Sequence, residues 1–496
     1  MGIDPQQILA RREQRQHEQV TLAARTGCPV VSMTVVSPGP DKNDPDARYA
    51  AATAAAALAG LLAGRGWQLC GGHRISADTG PERLLAVAAD PYQLKRALID
   101  LEDHHRLGRL WDLDLVAGLD PAGRPQILGR SALGEPPRRC LVCDRAAADC
   151  ARAARHRLDQ VLAARSALAG AARLGQADAA AELGVRAMLV EARLTPKPGL
   201  VDRLGTGSHR DLDLALLERS AETLRPWLAR CWLVGAEQPG QTAPLVSLGI
   251  RAEQAMTEAT GGVNTHRGAL FGLGLLIAAL GWDDSGAPLP PPASTADADP
   301  CPDPMIAIPA PATPDPDPAT ASAPRLAGLL VDTDRLARIR ARAAALARPL
   351  LRSWPEQAAR SGSHGAAAYR DHGSSGARGE AASGFATAAE VGLVAYRQRL
   401  HRYGDPPDAL RWALVAMMAV TCDTNLLSRG GGAGLRYVQG WARKLLASPP
   451  PPPALITTLA RADADFVRRW LSPGGSADLL ALTWLLDQLD PLRARS

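Results

Sequence analysis

Thr195-Pro-Lys-Pro-Gly-Leu-Val-Asp202 and, a few residues on, Gly207-Ser-His-Arg-Asp-Leu-Asp213 stand between two runs of helical periodicity, 178–192 and 212–234. Pro and Gly fix the backbone of the intervening stretch, so its charged groups converge at little ordering cost. The arrangement recurs. Gly261-Gly-Val-Asn-Thr-His-Arg-Gly268, Asp423-Thr-Asn425 with Arg429-Gly-Gly-Gly432, and Pro473-Gly-Gly-Ser-Ala-Asp478 each interrupt apolar helical runs. The pattern predicts an all-α domain whose interhelical loops form one composite site.

Working outward, helical periodicity covers 150–174, 178–192, 212–234, 243–259, 267–280, 332–353, 388–402, 409–420, 435–446 and 476–489, with no strand expected after Val116. The first third alternates differently. Helices are expected at 8–25, 48–65 and 91–102, and strands at 30–36, 84–88 and 110–116. The chain thus reads as an α+β N-terminal domain over 1–166, a helical linker over 167–180 and a larger all-α domain over 181–496. Within the latter, 288–324 is dominated by Pro, Ala, Asp and Thr and cannot bury enough apolar surface to order itself, so a disordered insertion is expected. Pro449–Pro453 reads as a polyproline connector.

At 496 residues the chain has room for two or three domains, and a 46% hydrophobic but only 4% aromatic composition means cores of Ala, Leu and Val, which favours helix. The formal net charge of +5 is spread among nearly as many acids, and no Lys/Arg run is interleaved with aromatics, so no nucleic-acid partner is expected. Arg and Lys beside Gly-rich turns suit small phosphorylated ligands. The polar N-terminus is no signal peptide, and the longest apolar run, 269–282, is too short for a bilayer. Eight cysteines are unevenly placed, three of them within 140–150. These features predict a cytoplasmic, reduced protein with no membrane partner.

In the first domain, Asp112 and Asp114 are two apart on an expected strand and point to one face. Such a pair holds Mg2+ against a triphosphate; two solvent-facing acids on a half-buried strand give the same pattern. Pro38-Gly-Pro-Asp-Lys-Asn-Asp-Pro45 presents Lys42 as a point charge for a phosphate oxygen, or is an ordinary turn with Asp44 or Asp46 as helix cap. Cys140, Cys143, Cys150 and His156 have zinc-like spacing that matches no standard finger; reduced thiols packed as small hydrophobes are the other reading.

In the second domain, Gly474-Gly475-Ser476 opens a helix, where free amides with Gly bind anions. Gly430-Gly431-Gly432 after Arg429 offers the same, and a flexible turn accounts for either. Asp423, Asn425 and Asp478 flank these turns. His209 and Asp213, four apart, share a helix face, Asp211 points elsewhere, and Glu191 stands close enough to join them. His266, between Asn264 and Arg267 and beside Gly261 and Gly262, is a candidate ligand contact or a cap. Arg378-Gly-Glu380 is another Gly-bounded charged pair.

These residues resemble a known family. Glu191 to Ser220, Thr260 to Gly268, Gly376-Ala-Arg-Gly-Glu-Ala-Ala-Ser-Gly-Phe385, Asp423-Thr-Asn425 and Leu471-Ser-Pro-Gly-Gly-Ser-Ala-Asp478 are similar to triphosphoribosyl-dephospho-coenzyme A synthases, over about 180–490. Gly39-Pro-Asp-Lys42, Gly108-Arg-Leu-Trp-Asp-Leu-Asp114 and Arg139-Cys-Leu-Val-Cys-Asp with Cys150 and His156 resemble the phosphoribosyl-dephospho-coenzyme A transferase that modifies apo-citrate lyase, over about 5–165. The 288–324 insertion departs from the family and breaks no motif, and the Asp-Lys spacing after Gly39-Pro40 departs as well.

The resemblance implies a bifunctional enzyme. Its helical domain would join ATP and 3′-dephospho-coenzyme A with loss of adenine. Its first domain, nucleotidyltransferase-like by analogy, would pass the product to a Ser of the apo acyl carrier subunit of citrate lyase, or of malonate decarboxylase, with loss of pyrophosphate. Asp202, Asp211 and Asp213 would then be Mg2+ or base carboxylates. Lys197, His209, His266 and Arg429 would contact phosphates or act as bases, the Gly474-Gly475-Ser476 start would cradle an anion, and Asp112 and Asp114 would hold Mg2+. An ADP-ribose-type hydrolase shares the all-α character and Asp-rich turns but leaves the first domain unexplained. A zinc-stabilised RNA-binding or scaffold protein lacks the basic-aromatic surface it would need.

Overall fold

The computed structural model describes residues 3–289 and 335–490, the side chains of Ser76 and His364 excepted. All but the first two residues of the 288–324 insertion therefore lie outside the described residues, as do 332–334 of an expected helix. The described chain divides into two compact units, one of residues up to 176 with 284–288 and Arg335, the other of 177–283 and 336 onward.

The first unit is a five-stranded antiparallel sheet with helices. In chain order it holds α1 (Pro5–Thr26), β1 (Val30–Val35), α2 (Pro45–Arg65), β2 (Gln68–Ala77), β3 (Gly80–Ala88), α3 (Pro91–His104), β4 (Trp111–Leu119) and β5 (Pro125–Ile127), with strand order β2-β3-β1-β4-β5. All three helices open on Asp-Pro. Asp4, Asp44 and Asp90 each accept an amide of the first turn, and the following Pro sits where no amide is missed. Gly27 and Gly66, both with positive φ, close α1 and α2.

Register sets the site. Val30 opposes Ala86 and Val116, Ser32 opposes Asp114, and Thr34 opposes Asp112. Val30, Leu84, Ala86 and Val116 pack with Leu22 and Ala23 of α1, so Asp112 and Asp114 share the face α1 covers further along. Trp111 turns to the other face, where its indole donates to the Ala50 carbonyl of α2 at 2.9 Å.

Two strands were not expected. β2 contains Gly71-Gly72, a pair depleted in strands. In place, a Cβ on Gly72 would lie 2.3 Å from the Leu84 carbonyl oxygen, and the register shifts between Leu69 and Gly71. The glycines mark close approach at a bulge rather than a chain reversal. β5 is only three residues long, and its presence corrects the expectation of no strand after Val116.

The second unit is helical throughout its described residues. Helix Leu158–Arg193 runs unbroken through 167–180. Leu214–Glu237 and Arg267–Asp284 meet at glycines: a Cβ on Gly235 would lie 1.8 Å from the Ala278 carbonyl oxygen, and one on Gly281 2.1 Å from that of Trp232. Small residues thus set the distance between backbones in a core poor in aromatics. Helices at Trp354–Arg360, His364–His372 and Gly376–Ala382 were not expected, being short and rich in Ser and Gly. Nor was Pro452–Arg468, whose prolines occupy the start of a helix instead of a connector. Gly430-Gly431-Gly432 lies within Thr424–Ala447, where Gly431 at φ 57° breaks the helical path. Cβ atoms on Gly430 and on nearby Gly434 would meet Leu471 Cδ2 at 2.7 and 2.8 Å, so both positions accommodate a packed side chain.

Candidate functional site

The second unit encloses a cleft of about 1820 Å3, lined among others by Glu191, Lys197, His209, Asn264, His266, Arg378, Asp423, Asn425, Gly474, Gly475 and Asp478. A single drug-sized ligand usually occupies roughly 300–1,000 Å3, so this cleft has room for two nucleotide-sized molecules. Three helices start on it, at Arg267, Thr424 and Gly474. Their amides and dipoles make the framework electropositive at those ends.

Asp423 joins two of those starts. Its Oδ1 accepts from the amides of Asn425 at 3.0 Å and Leu426 at 3.3 Å, while Oδ2 accepts from the Ser476 amide at 2.9 Å and hydroxyl at 3.3 Å. A Cβ on Gly475 would come within 3.1 Å of this carboxylate. The Ser476 amide, and with it that of Gly475, thus meets an anion of the chain itself. Burial pushes the Asp423 carboxyl above the usual range, against the pull of these donors.

The third start faces Asp478. Its carboxylate accepts the Ala269 amide, and a Cβ on Gly268 would lie 1.9 Å from Oδ2. Burial, then the charges of Glu191 and Asp423, hold the Asp478 carboxyl well above the carboxylate range. Lys197, 1% exposed, donates from Nζ to Glu191 Oε1 at 2.5 Å and to the Glu191 carbonyl at 2.7 Å. His266 is buried, with Nδ1 2.9 Å from Ser220 Oγ and Nε2 lacking a hydrogen-bond partner. Burial, aided by Lys197, lowers its pKa to about 3, so the ring is neutral at pH 7. A neutral imidazole with an unused nitrogen in a cleft offers a ligand one unmet hydrogen-bonding position, acceptor or donor according to its tautomer.

The other expected residues fall into two groups. His209 reaches the cleft, with Nε2 2.9 Å from Ser472 Oγ and Nδ1 3.2 Å from Arg429 Nη2, and burial with Arg429 lowers its pKa to about 4. Arg378 lies 3.6 Å over the Trp354 ring. Asn264 and Asn425 line the wall, the latter directly beneath Gly474, whose Cβ would meet its Nδ2 at 2.4 Å.

Asp202, Asp211, Asp213, Gly261, Gly262, Arg429 and Ser476 are not among the lining residues. Asp202 ties its own loop, accepting the Lys197 and Leu204 amides at 3.1 and 2.7 Å. Asp213 caps Leu214–Glu237 through the Leu216 amide at 2.8 Å. Asp211 is exposed. Arg429 donates to the Ser208 carbonyl and stacks 5.1 Å over Trp470. Gly261 and Gly262 form an exposed turn with positive φ. Glu380, though in the cleft wall, is spent on the Thr387 amide and hydroxyl at 2.8 and 2.9 Å.

In the first unit, Asp112 and Asp114 line a pocket of about 350 Å3 with Lys95, Glu102, Arg130 and Arg138. Asp112 Oδ1 accepts from Arg138 Nη1 at 2.7 Å. Desolvation and the neighbouring Asp112 raise the Asp114 pKa. Lys95 is buried, donates to the Leu113 carbonyl at 2.8 Å, and has its pKa lowered by burial. Lys42 is not part of this pocket: its Nζ donates to the Ser37 carbonyl at 2.7 Å, and Asp44 caps α2, as the alternative turn reading has it. Lys95 and Glu102 went unnoticed in the sequence. They stand seven apart on the buried stripe of α3 with Leu94 and Leu98, and a Lys/Glu pair on an apolar stripe is a detectable anomaly.

Two separate pockets, each lined by carboxylates and cations and each in its own unit, define a two-part transferase. Residues 177–496 match the model of the ATP:dephospho-CoA triphosphoribosyl transferase family, and 3–170 that of the apo-citrate lyase phosphoribosyl-dephospho-CoA transferase family. The chain belongs to both families, and is an enzyme carrying both activities in citrate lyase prosthetic-group biosynthesis. It is 38% identical over 312 residues, 60% of this chain and 85% of the relative, to the 2-(5''-triphosphoribosyl)-3'-dephosphocoenzyme-A synthase of Pectobacterium atrosepticum. It is 30% identical over 426 residues, 82% of this chain and 79% of the relative, to Protein CitXG of Haemophilus influenzae, which spans both parts.

Proposed function

We propose that the helical domain, over about 181–496, joins ATP to 3′-dephospho-coenzyme A. The coenzyme 2′-hydroxyl forms a bond to C1 of the ATP ribose, the C1–N bond to adenine breaks, and the hydroxyl proton is lost as adenine gains one. The product is 2′-(5″-triphosphoribosyl)-3′-dephospho-coenzyme A. The centre passes through an oxocarbenium-like state, which needs an acid for the leaving base and an acceptor for the hydroxyl proton.

The observation that carries this reading is the set of titratable groups that line one large cleft. Asp478, whose carboxyl burial and the neighbouring Glu191 and Asp423 push upward, serves as the acid. Glu191, ion-paired to Lys197, is the proton acceptor, and neutral His266 presents its unused nitrogen to the substrate. Arg378 and Lys197 supply positive charge for the triphosphate, with His209, Asn264 and Asn425 as contacts. Asp423 holds the helix starts in place. Asp202 and Asp213 are positioning residues in this scheme.

The first domain, over about 1–166, then passes the product to a Ser hydroxyl of the apo acyl carrier subunit of citrate lyase. The Ser oxygen bonds to the phosphorus that stays with the ribose, the phosphoanhydride breaks, and pyrophosphate leaves. Malonate decarboxylase's carrier is the other acceptor of this type. Asp112 and Asp114 fit Mg2+, being two carboxylates on one strand face at a pocket, and such an ion neutralises the phosphates and the leaving pyrophosphate. Arg138 and Lys95 add positive charge beside it. The chain works in the cytoplasm, in keeping with free thiols at all its described cysteines.

The test is adenine release from Mg-ATP, with and without 3′-dephospho-coenzyme A. Coenzyme-dependent release is expected. Release without the coenzyme would replace this reading with the hydrolase.

A further inference from the structure

Between 131 and 160 only Cys140 and Cys150 are buried. A stretch of that length without an apolar core does not repay its ordering entropy. Its backbone is nonetheless pinned. The Cys140 amide donates to the Arg145 carbonyl and the Ala147 amide to the Arg138 carbonyl, each at 2.8 Å, and Arg139 bridges Ala146. The resulting turn carries Cys140 and Cys143. Cys150 follows on the short helix Ala147–Arg152, and His156 stands just before Leu158–Arg193.

One ligand atom from each of these four residues lies within 4.8 Å of the other three. Cys143 Sγ is 3.5 Å from Cys150 Sγ and 3.3 Å from His156 Nε2. A tetrahedral ion with Zn–S of about 2.3 Å and Zn–N of about 2.0 Å sets its ligand atoms roughly 3.5–3.8 Å apart. The Val142 amide lies 3.4 Å from Cys140 Sγ, an outer-shell bond of the kind that steadies a ligating thiolate. The thiols are free, and 3.5 Å is far beyond a sulfur–sulfur bond of about 2.05 Å.

We propose that Cys140, Cys143, Cys150 and His156 bind one Zn2+ in a closed structural site, and that this ion orders residues 138–156 and so holds Arg138 on Asp112. Three thiolates and an imidazole are a soft set that selects zinc over the magnesium suited to carboxylates. Four protein ligands leave no open position for catalysis. Each thiol gives up its proton as its sulfur bonds the ion, so zinc uptake releases protons. Arg138 stands two residues before Cys140, and the Arg109 guanidinium donates to the Cys140 carbonyl, so the clip is tied to Asp112 through Arg138 and to the chain just before β4 through Arg109. The consequence for catalysis rests on Asp112 serving carrier transfer; the metal site does not.

The test uses the full chain purified without chelator. One zinc per chain by mass spectrometry is expected, released when a mercurial titrates the thiols. Cys143→Ser and His156→Ala should each hold less than about a tenth of an equivalent. Trypsin should spare exposed Arg139, Arg145, Arg152 and Arg155 in the zinc-loaded protein and cut there once zinc is removed. Wild-type protein that lacks zinc, takes none up and shows fully reactive thiols in either state overturns the proposal. Zinc bound with an unchanged cleavage pattern on its removal overturns the ordering role. Zinc bound in protein that cannot modify the apo carrier leaves the metal site standing and sinks the transferase reading instead.

Discussion

Asp423→Ala should be the most damaging single truncation in the cleft, and its cost can be worked from the donors it abandons. The carboxylate caps Thr424–Ala447 through two amides and Gly474–Leu489 through the amide and hydroxyl of Ser476. Losing an N-cap costs about 1 kcal/mol, and leaving a buried donor unsatisfied costs about 1–3 kcal/mol. The variant should therefore lose about 2–5 kcal/mol, a large share of a typical domain's stability. Asp423→Asn keeps one oxygen and sheds the cost of a buried charge, but turns an amide NH2 towards one of the two helix starts. It should lose less than half as much. Urea unfolding followed by far-ultraviolet circular dichroism, which the helical domain dominates, reads both. Adenine release, assayed where each variant is still folded, should fall with the loss of the shared cap. An Ala variant within about 1 kcal/mol of wild type would refute the argument that one carboxylate holds two helix starts.

Other consequences are separable. His266 has its pKa lowered from 6.5 to about 3. Its contribution to stability is full above pH 6.5 and is lost as pH falls through 3, amounting to about 2 kcal/mol lost by pH 5. His266→Gln should flatten that slope relative to wild type, the comparison being needed because the raised carboxyls of Asp423 and Asp478 act with opposite sign; identical slopes would show the ring is not buried neutral. The same variant should slow adenine release by about 100-fold or more. Gly268→Ala forces a methyl onto the Asp478 carboxylate and should cut adenine release at least about tenfold without loss of helix content; full activity would mean that Asp478 is no acid. Asp213→Ala should cost about 1 kcal/mol as a lost cap and leave the turnover of folded enzyme near wild type, whereas a collapse of turnover would return Asp213 to the chemistry. Asp112→Asn should abolish transfer to the carrier while adenine release continues, and retained transfer would remove the pair from that step.

The helical domain was legible wherever an apolar stripe repeated over three or more turns, and so were the strands with alternating β-branched residues. Glycine misled in both directions. Gly71-Gly72 went unread as strand, and Gly430-Gly431-Gly432 read as an anion loop or a flexible turn, because the sequence cannot say what approaches a missing Cβ. In place it is the Leu84 carbonyl in one case and Leu471 in the other. Proline misled at 452, where a residue that breaks a helix interior is favoured at its first turn. At Gly430 the deciding partner, Leu471, lies beyond any local pattern.

The site shows the same limit more sharply. Sequence proximity grouped Asp202, Asp211 and Asp213 with Lys197, since all sit in one polar loop. Folding sorts them by what they must satisfy. Asp202 meets amides of its own loop and Asp213 those of a helix start, while Lys197 turns inward to Glu191. A carboxylate with several amides to accept is a structural anion whatever its neighbours in sequence. Asp423 and Asp478 are both held above the ordinary carboxylate range, but Asp423 accepts from several donors, whereas Asp478 has the Ala269 amide against burial and the charges of two neighbouring acids. The distinction between acids that hold the fold and acids that do chemistry follows from the donors each one finds, and those donors come from other helices: Asp423 finds Ser476, 53 residues on, and Asp478 finds Ala269, far earlier in the chain. The loops bearing these acids were visible in the sequence because Gly and polar residues interrupt the apolar stripes. Which acid stays uncompensated could be known only once the helix starts had met.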